Sequence, residues 1–120
     1  MHLERSSTES SLSSLQPERK NKQKKLRTSL QVDEGLIQAR EYGCASCCVR
    51  PCDVVRAKKA LEGSKTAVCT VIGFPHGTAT TANKVAEAKE AMSNGCTELD
   101  MVVNNGAAIG GEWDAVKADI

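Results

Sequence analysis

Two short apolar stretches, each ending in polar or turn-forming residues, constrain the fold of this chain more than any other feature. The first covers residues 69–77 (CTVIGFPHG) and the second residues 98–104 (ELDMVVN). An alanine-rich segment with helical spacing, residues 80–94, lies between them and ends at Gly95. β-Branched apolar runs of this length are typical of buried parallel strands. The order strand, helix, strand therefore predicts an α/β fold with a site where these strands end.

The preceding residues repeat this alternation. We expect a first helix capped by Asp33 that carries Leu36 and Ile37 and ends near Gly43. A strand over residues 45–49 follows, and Arg50 and Pro51 stop it. Asp53 is then expected to cap a second helix, whose inner stripe is Val54, Ala57 and Leu61.

The later elements follow from the same patterns. We expect a strand over residues 67–72, a third helix capped by Thr80 or Thr81, a strand over residues 97–103 and a last helix over residues 112–120. The inner stripe of the third helix is predicted to be Val85, Ala88 and Met92.

Residues 1–30 differ from the rest in charge and in apolar content. They carry seven Lys and Arg against three Glu, whereas residues 31–120 carry nine against twelve acids. We therefore expect a disordered Ser/Lys-rich leader over 1–30 and a folded domain over 31–120.

The basic run at residues 19–27 is compatible with a nuclear address, a nucleic-acid patch or a solvated tail. No aromatic residues interleave with the cations, so we expect no nucleic-acid partner.

Six cysteines give the chain a second pattern to explain. Cys44 and Cys47 have the spacing of a zinc or redox motif, but no second Cys/His pair lies at ligand spacing. We expect reduced structural thiols and no metal or other cofactor; a small doubly wound domain with Cys-bound zinc is the competing interpretation.

The apolar runs are too short to cross a bilayer, so we expect a cytoplasmic chain without a membrane partner.

Asp100 is the strongest candidate for a catalytic residue. Side chains alternate along a strand, so Leu99, Met101 and Val103 share one face while Glu98 and Asp100 share the other. The apolar face is expected to pack under the helices, which leaves the carboxylates on the opposite side. Carboxylates in such places have their pKa values tuned for proton transfer, although a structural ion pair or a surface face on an open sheet is the alternative.

Three other polar residues follow the ends of the strands. Thr78 and the threonines after it offer hydroxyls and a helix N-terminus to an anion, although capping alone explains them. Asn104 ends the third strand and is a weaker candidate for substrate binding. His76 is a loop residue with no assigned catalytic role.

The segment VCTVIGFPHGTATTANKVAEAKEA, followed by GCTELDMVVNNGA, resembles the deoxyribose-phosphate aldolase family. The resemblance begins near Ala39, includes residues 49–54 and covers about two thirds of the chain. It implies part of a (β/α)8 TIM barrel, here about three βα units. It also implies a class I aldolase, a lyase that reversibly cleaves 2-deoxy-D-ribose 5-phosphate to D-glyceraldehyde 3-phosphate and acetaldehyde through a lysine Schiff base, without a cofactor.

The resemblance places Asp100 on the family's proton-shuttling aspartate and gives the chain a sugar phosphate as its small-molecule partner, with homo-oligomerisation left open. The family's first strand, with its Asp-His-Thr signature, is not found in residues 26–32. The Schiff-base lysine of the family lies on a later strand, and none of the predicted strands here contains a lysine. We therefore expect this chain to be an inactive fragment; the alternative is a non-catalytic truncated product that acts by binding a partner.

Overall fold

The computed structural model describes residues 27–120, so most of the predicted leader lies outside the described residues. Helices and strands alternate along this part of the chain as α1 (Ser29–Glu41), β1 (Ser46–Val49), α2 (Val54–Leu61), β2 (Ala67–Ile72), α3 (Thr81–Ser93), β3 (Glu98–Met101), α4 (Asn105–Ile109) and α5 (Trp113–Asp119). A short 3-10 turn, Pro51–Asp53, precedes α2. No helix among these residues is both long enough and apolar enough to cross a membrane.

The three strands form one parallel sheet in the order β1-β2-β3. Helices connect consecutive strands, as parallel pairing requires. The sheet, the helices and the predicted bounds of β2 confirm the α/β prediction. Thr70, in the central strand, is fully buried, and its hydroxyl donates to the carbonyl oxygen of Val49 over 2.7 Å. This bond satisfies a buried polar group and holds the end of β1 against β2.

The start of α1 differs from the prediction. The helix begins at Ser29, and Thr28 caps it through a capping box in which the Thr28 hydroxyl accepts from the Gln31 backbone N–H. Ser29 and Leu30, which the sequence placed in the leader, are thus helical. Asp33 caps nothing, because it lies inside α1 and accepts two hydrogen bonds from Arg56 of α2 at 2.8 and 2.9 Å.

The hydrophobic core lies between the helices and one face of the sheet. The predicted stripe of α2, Val54, Ala57 and Leu61, is buried there. It packs with residues of α1, β2, α3 and the turn before β3, namely Val32, Leu36, Val68, Ala91 and Cys96. Burying these apolar groups supplies about 25 cal/mol for each Å² removed from water, so this face fixes how the helices lie on the sheet.

Two other predictions for the helices need correction. Asp53 occupies the N-cap position of α2 without capping it; its buried carboxylate accepts from Arg50 Nε at 2.7 Å instead. The inner stripe of α3 is also wrong, because Val85 and Met92 are exposed whereas Lys84 and Ala91 are buried. Thr80 does cap α3 as predicted, accepting from the Asn83 N–H.

The loop after β2 packs tightly against the segment that follows β3. Gly77 has a φ of +68°, and a Cβ atom built on it would lie 1.8 Å from the carbonyl oxygen of Val103. Only glycine fits this position, for reasons of both space and conformation. The two loops that follow β2 and β3 are therefore held together through direct backbone contact.

We expect Gly77→Ala to lower the free energy of unfolding by about 3 kcal/mol or more, because it adds overpacking to left-handed strain. Gly43→Ala is the matched control: its φ is +62°, nothing lies within 4 Å of the added Cβ, and the backbone cost is about 1 kcal/mol. Urea denaturation followed by circular dichroism measures both. Equal losses in the two variants would contradict the close contact.

Candidate active site

The site predicted from the sequence lies where the strands end, and the structure brings two loops together there. The carbonyl oxygen of His76 accepts from the Asn105 N–H over 3.5 Å, and Gly77 lies against Val103. Thr78, in the first loop, is exposed. The two candidate segments for substrate binding, which contain Thr78 and Asn104, are thus neighbours at the carboxyl edge of the sheet. This is the edge where ligands bind in open and closed α/β sheets.

Asp100 lies on the sheet face opposite the helices. The register pairs it with Val71, and pairs Leu99 with Thr70, which is buried on the helix side. Since residues paired across parallel strands share a face, Asp100 and Glu98 point away from the core. Both are exposed, and the ion pairs within residues 27–120 do not include Asp100. The carboxylate is thus free of a structural ion pair in this part of the chain.

Asn104 has a structural task in addition to any contact with a ligand. Its side-chain oxygen accepts from the Ala107 N–H over 3.1 Å and caps α4. The sequence did not predict α4, a five-residue helix. The amide N–H groups of Asn104 take no part in this cap, and the hydroxyl of Thr78 is exposed.

Lys84 is the residue that sequence reasoning missed. Its side chain is 2% exposed, although the predicted inner stripe of α3 did not include it. Its ammonium donates to the Val102 carbonyl over 3.1 Å and forms a short ion pair with Asp119. The hydroxyl of Thr81 donates to the same carboxylate over 2.7 Å. One buried cation therefore joins α3, the end of β3 and α5.

A second side chain of α3 holds the loop after β2. Glu87 accepts from the Gly73 N–H over 2.9 Å. The aliphatic stem of Lys84 packs against the same glycine, since a Cβ at Gly73 would lie 3.0 Å from the Lys84 Cε. Helix α3 therefore fixes both loops at the carboxyl edge, through Glu87 for the first and Lys84 for the second.

The Asp119 carboxylate is electrostatically tuned by these contacts. Hydrogen bonds from Lys84 and then Thr81, together with the charge of Lys84, lower the pKa of Asp119 below the ordinary aspartate value. The ionised form is thus the one that the fold stabilises. Asp119 is at the end of α5 and far along the chain from Lys84, so no local sequence pattern predicts this ion pair.

The cysteines do not assemble as a metal centre in residues 27–120, where no three His, Cys, Asp or Glu side chains form a group that could hold a metal ion. Cys44 and Cys52 lie outside the strands, and Cys47 packs against the core. The open face instead carries a row of three side chains, one from each strand: Cys48, Cys69 and Glu98. Burial, then the neighbouring Cys48 thiol and further nearby groups, raise the pKa of Cys69 to about 12.

Comparisons of the sequence and of the structure with known proteins both give relatives named deoxyribose-phosphate aldolase. A deoxyribose-phosphate aldolase of Streptococcus pneumoniae is 53% identical over 90 residues, which are 75% of this chain and 41% of the relative. A structure described as a putative deoxyribose-phosphate aldolase from Coccidioides immitis superposes with a TM-score of 0.74 at 45% identity, over 78% of this chain and 37% of that one. A tetrameric deoxyribose phosphate aldolase from Aeropyrum pernix gives a TM-score of 0.62 at 27% identity, over 78% and 43%. No family model matches the chain.

Three parallel strands with their helices thus form part of a TIM (β/α)8 barrel of the aldolase class, which confirms the predicted fold. Over the matched residues the chain is homologous to the deoxyribose-phosphate aldolases, which confirms the family indicated by the sequence. The chain spans about two fifths of the length of the curated relatives that it matches.

We expect Lys84→Met to lower the free energy of unfolding by about 2 kcal/mol, the scale for leaving buried hydrogen-bonding groups such as the Val102 carbonyl unpaired. Lys89→Met is the control, because Lys89 lies on the exposed side of the same helix. Chemical denaturation measures both variants. If Lys84→Met lowers the free energy of unfolding by no more than the control does, the buried ammonium does not stabilise the fold.

The Asp119 pair also predicts a pH dependence. The pKa of Asp119 is lower in the folded chain than in the unfolded chain, where it is about 3.9. The stabilisation from the ionised carboxylate is therefore complete above that unfolded value and is lost as the pH falls through the folded pKa. The difference in unfolding free energy between the wild type and Asp119→Asn should therefore shrink as the pH falls below about 4. Asp114→Asn, an exposed acid of the same helix, should show no such convergence. Parallel curves for the wild type and Asp119→Asn would contradict the assignment.

Proposed function

We propose that this chain supplies part of the barrel and of the active site of a deoxyribose-phosphate aldolase. The reaction is the reversible cleavage of 2-deoxy-D-ribose 5-phosphate to D-glyceraldehyde 3-phosphate and acetaldehyde through a lysine Schiff base. One observation carries the proposal: Asp100 lies on the open sheet face, beside the carboxyl edge, and forms no ion pair within residues 27–120, in a chain 53% identical to an aldolase over 90 residues.

In this proposal Asp100 acts as the proton shuttle. A carboxylate that no cation of residues 27–120 neutralises can accept a proton from a bound sugar and return it to the carbon or oxygen that needs it. Its neighbour two residues back, Glu98, lies on the same face.

The roles proposed for Thr78 and Asn104 are to bind the substrate. Their loops lie side by side at the carboxyl edge, which places an exposed hydroxyl and a side-chain amide on neighbouring segments. Hydroxyl and amide groups hydrogen-bond sugar hydroxyls and phosphate oxygens. No cofactor or metal enters the proposed reaction. We further propose a cytoplasmic, homo-oligomeric protein; the tetrameric relative from Aeropyrum pernix supports the second point.

A Schiff base needs an amine on the open face, and the described strands provide none. No lysine lies in β1, β2 or β3, and the ammonium of Lys84 is engaged by Asp119 and Val102 on the helix side. A carboxylate such as Asp100 cannot form an imine. We therefore propose that residues 27–120 contain a proton-transfer group of the site but not its nucleophile.

The isolated chain should accordingly cleave no 2-deoxyribose 5-phosphate above the rate of buffer alone. Sodium borohydride added with the substrate should leave the mass of the intact chain unchanged, because no imine is available for reduction. The pneumococcal relative, treated in parallel, is the positive control. Turnover by the 120-residue chain, or a single reduced adduct on one of its lysines, would overturn this part of the proposal.

The role of Asp100 can be measured in a chimera that joins the matched part of this chain to the remaining residues of the pneumococcal aldolase. We expect Asp100→Asn to reduce kcat by about 10²-fold or more while KM changes little, since the amide keeps the shape but transfers no proton. Asp114→Asn in the same chimera is the control. An active chimera whose kcat is unaffected by Asp100→Asn would remove Asp100 from the mechanism.

The competing interpretation is a chain that binds a partner without catalysis. Mixing the 120-residue chain with the remaining part of the pneumococcal aldolase as a separate polypeptide distinguishes the two. Cleavage that appears only in the mixture supports a shared active site. Stable association without cleavage supports the binding role instead.

A further inference from the structure

Two cysteines lie side by side on the open face of the sheet, and neither enters the proposed function. Cys48 of β1 pairs directly with Cys69 of β2 in the parallel register. Adjacent strands are separated by about 4.8 Å, which falls within the Cα–Cα range of about 4.4–6.8 Å that disulfides adopt. Residues paired in this way point to the same face, so both thiols lie on the side away from the helices.

The surroundings of the two thiols differ. The Sγ atom of Cys69 interacts with the carbonyl oxygen of Thr70 at 3.9 Å, and the adjacent Cys48 is one of the groups that raise the pKa of Cys69. Cys48 is exposed to solvent, while Cys69 is buried between it and Glu98. One thiol is therefore open to a reagent from solution, and the second lies within reach of the first but is shielded from the reagent.

The other cysteines of the chain lack this arrangement. Cys47 is next to Cys48 in sequence but lies on the helix side of the sheet, where it packs against the core. Cys96 is buried, and its Sγ atom interacts with the carbonyl oxygens of Val68 and Glu98. Cys44 and Cys52 are exposed outside the strands.

We propose that Cys48 and Cys69 form a redox-active dithiol, which a hydroperoxide such as hydrogen peroxide oxidises to a disulfide between β1 and β2. The Cys48 thiolate attacks one peroxide oxygen, the O–O bond breaks, and the departing hydroxide takes up a proton to become water. The sulfur of Cys69 then attacks the resulting sulfenic acid at Cys48. The S–O bond breaks, and the hydroxyl leaves as water with the proton of Cys69. Two thiols and one peroxide thus give one disulfide and two molecules of water.

The two cysteines have different parts in this sequence of steps. Exposure makes Cys48 the first thiol to be oxidised, because reactivity follows access and thiolate content. The raised pKa of Cys69 keeps it protonated near neutral pH, so it resists direct oxidation. Its position beside Cys48 in the register makes it the resolving thiol. The proposal concerns this chain's own thiols and does not depend on its assignment as an aldolase.

The test is oxidation of the dilute, reduced 120-residue chain with excess hydrogen peroxide, followed by alkylation under denaturing conditions, tryptic digestion and mass spectrometry. Trypsin should release Cys69 on the peptide covering residues 66–84, which contains no other cysteine. We expect this peptide to be linked to the one that carries Cys48, with the intact chain lighter by about 2 Da. Dithiothreitol should reverse both changes.

Matched variants decide whether the bond is specific. Cys48→Ser should abolish the linked peptide and leave Cys69 fully alkylatable, whereas Cys44→Ser, which changes another exposed cysteine close by, should leave the link intact. Serine replaces an exposed thiol at both positions, so neither variant is expected to unfold the chain. A link from Cys69 to Cys96, links scattered among exposed cysteines, predominantly intermolecular bonds or no oxidation of Cys69 would each overturn the proposal.

Discussion

The buried ammonium of Lys84 is the interaction on which the carboxyl edge of this sheet depends. A lysine removed from water without a partner costs several kcal/mol, so its charge has to be compensated locally. Asp119 compensates the charge and Val102 takes a hydrogen bond, and both partners come from outside α3. The cation can therefore be buried only when α3, α5 and the end of β3 are all in place. The pair therefore determines geometry, and removing one partner costs stability because it leaves buried polar groups unpaired.

The same helix explains why the two candidate loops lie together. Glu87 binds the backbone at Gly73, and Gly77 lies against the carbonyl of Val103 at a distance that excludes any side chain. Position and orientation in this region are set by backbone groups and by charges on α3. The Asn104 side chain caps α4 within its own segment, and Thr78 is exposed, so neither side chain is among the contacts described between the two loops.

The alternation of apolar runs was enough to predict the sheet, because buried parallel strands and their connecting helices differ in period and length. The bounds of β2 and the stripe of α2 were predicted on this basis and confirmed. The cap at Asp33 and the inner stripe of α3 were wrong for one shared reason. In both cases a charged side chain found a partner on another helix, Arg56 in the first and Asp119 in the second. Local hydropathy ranks Lys84 as outward-facing and cannot represent a partner 35 residues away.

The two faces of the sheet separate the chemistry of this chain into two sets. The helix side carries the apolar core and the buried cation, whose charge is already compensated. The open side carries the groups whose reactivity is not used by the fold: the carboxylates of Glu98 and Asp100 and the thiols of Cys48 and Cys69. Acids on this face can move protons, but only an amine can form an imine. Under the proposed function, the lysine that forms the imine has to reach the same open side as Asp100, and strands β1, β2 and β3 contain no lysine. Lys84 cannot be the lysine that forms the imine, because releasing its amine would leave Asp119 and the end of β3 without the cation that joins them.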